Sequence, residues 1–546
     1  MNITPINSQV SVSEQVYPEH IPALVAEGVG VLVCNRPDGE AAEQPSFAEV
    51  AQAAEAEGIT CYHIAFAGGE MTDAQVEQFR ECINTGKRLH AYCRTGNRSS
   101  KIFERASNAE STPAAEPSAP KSATSAGAKA DASATKAVQN FDVVIVGAGS
   151  GGLATAASLL KRNGQLRIAV IDPATTHYYQ PAWTLVGGGA YDIGKTARPM
   201  QSVIPDGVTW LNDAVATFEP EGQQVQLAGG DAVHYQHLVV APGLALHWQG
   251  IEGLSESLGQ HGVTSNYSFK LAPYTFELVK NLKGGNAVFT QPPMPIKCAG
   301  APQKAMYLAA DYWLKHGQLA NTQVHFYNAG AVLFGVQAYL PALQSYIERY
   351  DIQLHFQRTL CRVDGPNKTA WFSRTEADGS QSVEEAPFDM LHVCPPQRAP
   401  DFIRQSPLAD EAGWLAVDPN TLQHTAYPNI WGLGDVINAP NAKTLAAVRK
   451  QAPVVAHNIV RALQGDSANA LYDGYGSCPL TVERGKVVLA EFSYGGKLAP
   501  SFPAWLLEGT RPTRLAWYLK ADVLPSFYWH GMLKGHEWLA SPKVGG

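Results

Sequence analysis

Apolar runs of strand length recur along the chain. Residues 29–33, 59–66 and 88–92 are β-branched or aromatic and read as buried strands. Between them, Ser46-Phe-Ala-Glu49 and Thr72-Asp-Ala-Gln75 are capping boxes that open amphipathic helices ending near Gly58 and Gly86. The third run leads through Cys93-Arg-Thr-Gly96-Asn-Arg98 into Ser99 and a further helical pattern. Residues 106–140 are mainly Ala, Ser, Thr, Pro and Lys with no large apolar residue before Val138, the composition of a flexible linker. A second module opens with a strand at 142–146, a glycine loop, a helix and a strand at 167–171. Further strand-like runs lie at 238–241, 286–290, 323–327 and 390–393, a doubly wound α/β pattern without internal repeats. The expected division is 1–106, a linker 107–140, and 141–546.

Composition narrows the function classes. The 546 residues carry a formal net charge of −8, which argues against nucleic-acid binding. Eight cysteines are too few for a disulfide scaffold, so any special cysteine is expected to be chemical. No metal-ligand spacing stands out. The N-terminus lacks a basic segment followed by an apolar core. Residues 141–160 are interrupted by Asp142 and small residues, which makes a membrane span the poorer reading.

Gly147-Ala-Gly149-Ser-Gly-Gly152 follows a strand and opens a helix, and Asp172 ends the next strand. Glycines there allow a tight turn and close approach of a pyrophosphate to the helix N-terminus, while the acid accepts from a ribose. Gly434-Asp435 is a second Gly-Asp motif of the kind flavoproteins carry near the C-terminus, where the Asp meets the ribityl chain. The run ending in Gly243 resembles the strand-and-glycine motif placed between the two. Their order favours FAD over NAD. The strands near 287–290 and 324 lead into Gln291-Pro-Pro-Met-Pro-Ile-Lys-Cys298 and Asn328-Ala-Gly330, neither of which is a second dinucleotide loop. Prolines donate no backbone N–H to a phosphate, so NADH is not the expected electron donor. Gly189-Ala-Tyr-Asp-Ile-Gly194-Lys195-Thr196 matches a P-loop expression but has a glycine run before it and Pro199 close behind.

Cys298 stands between Lys297 and Lys304, cations that favour a thiolate. Residues 141–538 closely resemble the mitochondrial-type sulfide:quinone oxidoreductases. The segments that carry this are His177-Tyr-Tyr-Gln-Pro-Ala-Trp-Thr-Leu-Val-Gly, Ser265-Asn-Tyr-Ser, Pro295-Ile-Lys-Cys-Ala-Gly-Ala-Pro-Gln-Lys, Tyr472-Asp-Gly-Tyr-Gly-Ser-Cys-Pro-Leu and Lys520-Ala-Asp-Val-Leu-Pro. The resemblance implies an FAD enzyme with Cys298 as a redox cysteine, oxidising sulfide and reducing a membrane quinone. It also implies that Lys443 stabilises reduced flavin. One position departs: the family's second redox cysteine follows the Gly-Asp motif, and here that residue is Val436. Three alternatives stand. Cys394 or Cys478 substitutes; Cys298 passes its sulfur directly to a small thiol or to the N-terminal module; or the substrate is a persulfide or other thiol. Aromatics and lysines over 517–534 suit a membrane interface.

In the small module, a strand-to-helix turn aims backbone N–H groups at an anion or a Cys93 thiolate, aided by Arg94 and Arg98. Phosphatases use Cys-x5-Arg; here the arginine comes one residue early and Ser99 holds the phosphatase position. The loop looks like that of rhodaneses, while residues 3–106 resemble the phosphatase-like domain of beta-lactamase-hydrolase-like proteins. Asp73 is a candidate general acid, or simply favours a helix start.

The expected fold is therefore α/β throughout: a phosphatase-like domain joined to a flavoprotein with two dinucleotide-binding-type domains. The expected function is oxidation of sulfide, or a related persulfide or thiol, coupled to sulfane-sulfur transfer by the small domain. The alternative is a flavoprotein for another thiol joined to a phosphatase or regulatory domain. The expected location is cytoplasmic, with peripheral attachment at the inner membrane.

Overall fold

The computed structural model describes residues 3–6, 9–38, 40, 44–66, 71–85, 87–94, 96–107, 139–376, 378–440 and 442–545. The chain divides into two units, Met1–Ala134 and Thr135–Gly546. Residues 108–138, within the expected linker, lie outside the described residues.

The first unit is built on a five-stranded sheet. Its strands are β1 (Thr4–Pro5), β2 (Val10–Ser13), β3 (Val31–Cys34), β4 (Thr60–His63) and β5 (Leu89–Tyr92), in the order β1-β2-β5-β3-β4. Only the β1–β2 pair is antiparallel; β5 lies parallel between β2 and β3. The helices are α1 (Ile21–Ala26), α2 (Phe47–Ala56), α3 (Asp73–Asn84) and α4 (Asn97–Ser107). Both capping boxes form: the Ser46 and Thr72 hydroxyls accept from the N–H groups of Glu49 and Gln75, whose side chains bond back. Burying both faces of a parallel sheet explains why β3 and β5 read as continuous apolar runs. Strands β1 and β2, absent from the sequence reading, extend this sheet at one edge.

The second unit holds two parallel-sheet layers. In the first, β6 (Gln139–Val146) is flanked by β7 (Ile168–Ile171) and by Ala232–Val240, and Ile430–Gly432 adds to the latter. Helix α5 (Ser150–Arg162) follows β6 directly. In the second, Val263–Thr264, Met390–His392, Gly285–Gln291, Thr322–Asn328 and Ile352–Phe356 pair in that order, all parallel. Antiparallel additions that were not expected include Val215–Glu219 and Gln224–Leu227 beside Ala232–Val240, a three-stranded sheet spanning Thr359–Asp364, Thr369–Thr375 and Gln381–Pro387, and the hairpin Gly476–Glu483 with Lys486–Ser493.

The C-terminal aromatics are divided between interior and surface. Tyr528, Trp529, Met532 and Leu533 are buried in the core around β6 and α5 instead of facing outward. The Tyr528 hydroxyl shares hydrogen bonds with Ser150 Oγ at 2.7 Å and His177 Nε2 at 2.5 Å. Glu537 pairs with Arg162 and accepts from Ser158 on α5. Trp505, Leu506, Tyr518, Trp538 and Leu539 remain exposed. Among the described residues, no helix is long and apolar enough to cross a membrane.

Candidate functional site

The glycine loop joins β6 to α5, and each glycine has its own reason. Gly147 has φ +98°, and a Cβ there would lie 2.6 Å from the Ala241 carbonyl oxygen. A Cβ on Gly152 would overlap the Gly147 carbonyl oxygen. A Cβ on Gly149 would meet no protein atom, because this position faces open space at the uncapped start of α5. Asp172 sits behind the loop and accepts from the N–H groups of Ala148 and Ala174, at 2.7 and 2.8 Å.

A cavity of about 440 Å³ brings distant segments together. Gly149, Asp172, Gly243, Gly434 and Asp435 line it, and so do Cys298, Lys304, Lys443 and Lys520. Gly243 and Gly434 have φ +76° and +80°, and neither would meet backbone with an added Cβ. Lys443 donates to the carbonyls of Asp435 and Ile437 at 2.8 and 2.7 Å and lies over the Trp414 ring. Burial pushes its pKa down to about 8. Burial raises the Asp435 carboxyl.

Cys298 occupies the turn before the helix Ala301–Lys315 with φ +51°, a left-handed conformation uncommon for a residue with a side chain. Its N–H donates to the Lys443 carbonyl at 2.8 Å, which ties this turn to the Gly-Asp segment. Its sulfur accepts from Lys304 Nζ at 3.0 Å. A hydrogen bond from Cys478, reinforced by Lys304, holds the Cys298 thiol well below the usual thiol range. The same bond, with burial, keeps Cys478 protonated. Lys520, also buried, is pushed down to about 7 by burial and by Lys304.

The other cysteine candidate is placed differently. Cys394 is buried, its thiol is pushed up to about 12 by burial, and its polar neighbours are Tyr267, Gln397 Nε2 at 3.7 Å and the Pro395 carbonyl at 3.9 Å. Val436 is fully buried in the core around β6, a different cluster from those that Cys298 touches.

Lys520, Asn266 and Thr184 were not assigned roles from sequence. The Asn266 amide and the Thr184 hydroxyl are buried on the cavity wall without partners among the described residues. Their signal lay in the unusual segments around 177–187, 265–268 and 520–525, which mark the site without naming a role.

In the first unit, Cys93 follows β5 and is buried. Gly96 has φ +82° with the Ser13 carbonyl oxygen 3.4 Å from where its Cβ would be. Arg98 reaches Cys93, yet its guanidinium is clamped on Glu40 by two bonds of 2.7 Å and donates to the Phe66 carbonyl at 2.9 Å. Arg98 and Arg36 hold the Glu40 carboxyl low. Arg94 is exposed, and Ser99 is buried with its hydroxyl unpartnered among the described residues. Thr95 lies outside the described residues, and Asp73 takes the first position of α3.

Residues 141–458 match the family described as pyridine nucleotide-disulphide oxidoreductase. The chain is 41% identical over 398 residues to the mitochondrial sulfide:quinone oxidoreductase of Dictyostelium discoideum, covering 72% of this chain and 86% of that protein. The chain belongs to the sulfide:quinone oxidoreductase family. The mouse mitochondrial member is 38% identical over 400 residues, covering 73% of this chain and 88% of its own. The crystal structure of the sulfide:quinone oxidoreductase from Aquifex aeolicus superposes with a TM-score of 0.61 at 18% identity, over 73% of this chain and 92% of that one, a likeness of fold. Residues 2–109 match the phosphatase-like domain of beta-lactamase hydrolase-like protein.

This family member is an FAD-dependent oxidoreductase. Its residues fit the cofactor. The loop leaves Gly149 facing open space, Gly243 and Gly434 leave room for close approach, and the Asn266 and Thr184 polar groups await partners on the same wall.

Proposed function

We propose that the second unit oxidises sulfide and passes two electrons to a quinone, and that the first unit accepts or transfers the sulfane sulfur. The observation that carries this reading is the Lys304-bound Cys298 sulfur on the same cavity as the glycine loop. FAD, when bound, supplies a two-electron acceptor. Gly147, Gly149 and Gly152 would shape its pyrophosphate seat, Asp172 would hold a ribose, and Asp435 would meet the ribityl chain. Lys443 keeps its proton near neutrality and offers a positive charge on the cavity wall. Lys304 and Lys520 make the cavity attractive to the hydrosulfide anion, and Cys298, held as thiolate, would carry the sulfur as a persulfide, whose formation from sulfide needs the two-electron acceptor that bound FAD supplies.

Two further features support the electron route. The segment after Gly285–Gln291 carries Pro292, Pro293 and Pro295 and then Cys298, where a nicotinamide-dinucleotide site would need a glycine loop. Exposed Trp538 and Leu539 also line the cavity, which would open it toward a membrane surface holding the quinone. On this reading the protein is cytoplasmic and peripherally attached at the inner membrane, through that exposed apolar group and not through the buried Tyr528 and Trp529.

For the first unit, the clamp of Glu40 on Arg98 supports sulfur transfer over phosphate hydrolysis. A phosphate needs the arginine fork that Glu40 occupies, whereas a sulfane sulfur on Cys93 does not. Sulfide-dependent reduction of a soluble quinone by the wild type, lost in Cys298→Ser, tests the main activity. Thiocyanate formation from thiosulfate and cyanide, lost in Cys93→Ser, tests the second. Phosphate release from an aryl phosphate without thiocyanate would reverse the assignment of the small unit.

A further inference from the structure

We propose that Cys478 is the redox partner of Cys298, taking the part that Val436 cannot play. The inference rests on the reading just given and adds a residue to it.

Cys478 lies on the strand Gly476–Glu483, paired with Ala490 of the neighbouring strand, and is buried. Along that strand side chains alternate in direction. Ser477 and Pro479 line the cavity, while Cys478 turns into the apolar cluster against which Cys298 packs. Cys298 therefore borders both the cavity and Cys478, and the two thiols share a hydrogen bond. The strand sits close on the Cys298 turn: a Cβ on Gly300 would fall 2.5 Å from Leu480 Cδ2 and 3.6 Å from Cys478 Cβ. Cys394 belongs to the other cluster that Cys298 packs against, but its sulfur is held by Tyr267, Gln397 and the Pro395 carbonyl.

The chemistry balances with two thiols. Oxidation of the pair, a Cys298 thiolate and a Cys478 thiol, forms one S–S bond and releases one proton and two electrons to a two-electron acceptor, the flavin this site fits. Hydrosulfide entering from the cavity attacks the accessible Cys298 sulfur. The Cys298–Cys478 bond breaks, a Cys298 persulfide forms, and the electron pair leaves on Cys478. Lys304 and the Gly300 N–H face that leaving thiolate. A thiolate acceptor then takes the outer sulfur and returns Cys298 to the thiolate.

The test maps the pair in the full flavin-loaded chain. Anaerobic treatment with the azo oxidant diamide, which takes up two electrons and two protons, should yield a peptide cross-linked through Cys298 and Cys478. One equivalent of sulfide should then open the cross-link and leave one extra sulfur on the Cys298 peptide. The cross-link should persist in Cys394→Ser and vanish in Cys478→Ser and Cys478→Ala, with flavin content and circular dichroism confirming folded variants. A Cys298–Cys394 cross-link, or sulfide-driven flavin reduction at wild-type rate in both Cys478 variants, overturns the proposal. A wild type that forms the cross-link yet reduces no quinone with sulfide would instead count against the main activity.

Discussion

Lys304 Nζ donates to the Cys298 sulfur across 3.0 Å, and Lys304 is only 3% exposed. A cation this poorly solvated has the thiolate as its main electrostatic compensation. Lys304→Met should raise the Cys298 pKa and slow its alkylation by iodoacetamide at pH values near the wild-type midpoint. Mass spectrometry of the Cys298 peptide over a pH series reads both quantities. Because Cys478 also bonds to Cys298, part of the shift should survive in the variant.

The glycine loop separates packing from cofactor space. Gly152→Ala forces a methyl onto the Gly147 carbonyl and should lower both thermal stability and flavin content. Gly149→Ala meets no protein atom, so the apo protein should melt as the wild type does while retained flavin falls sharply. Calorimetry and flavin absorbance of the purified variants check the contrast.

His90 is fully buried between Ser11 Oγ at 2.9 Å and Ser13 Oγ at 2.8 Å, and burial lowers its pKa to about 4. Its folded value lies below the ordinary 6.5, so between those values the unfolded chain binds more protons. The stability it contributes is complete above pH 6.5 and is lost as pH falls toward 4, by about 3 kcal/mol. Hydrogen exchange of β5 in the full chain, compared at pH 6.5 and pH 4.5 after correction for intrinsic rates, should show this loss.

Glu40→Gln removes the charge that clamps Arg98. The freed guanidinium can then assist anions at Cys93, so thiosulfate:cyanide sulfurtransfer by the full chain should rise several-fold. An unchanged rate would mean that Arg98 plays no part in that step.

Much of this architecture was legible because its signals are local. The strand, glycine loop, helix and acid at 142–172 occupy consecutive positions, and the two capping boxes carry their own hydrogen-bond logic. The Cys298–Cys478 contact joins residues 180 positions apart through strand packing, which no local pattern encodes. The same holds for the Glu40 clamp on Arg98 and for Tyr528 reaching Ser150 and His177. The Tyr528–Trp529 stretch read as interfacial because composition shows an amphipathic segment but not which face the core will take. The strands of 359–387 escaped notice because they mix Arg, Glu, Ser and Thr with few apolar positions on a partly exposed sheet.

The most direct test of the central claim is anaerobic mixing of the flavin-loaded protein with sulfide while flavin absorbance is followed. The account predicts rapid bleaching in the wild type and an oxidised spectrum that persists in Cys298→Ser. No bleaching in the wild type, or full bleaching in Cys298→Ser, would contradict it.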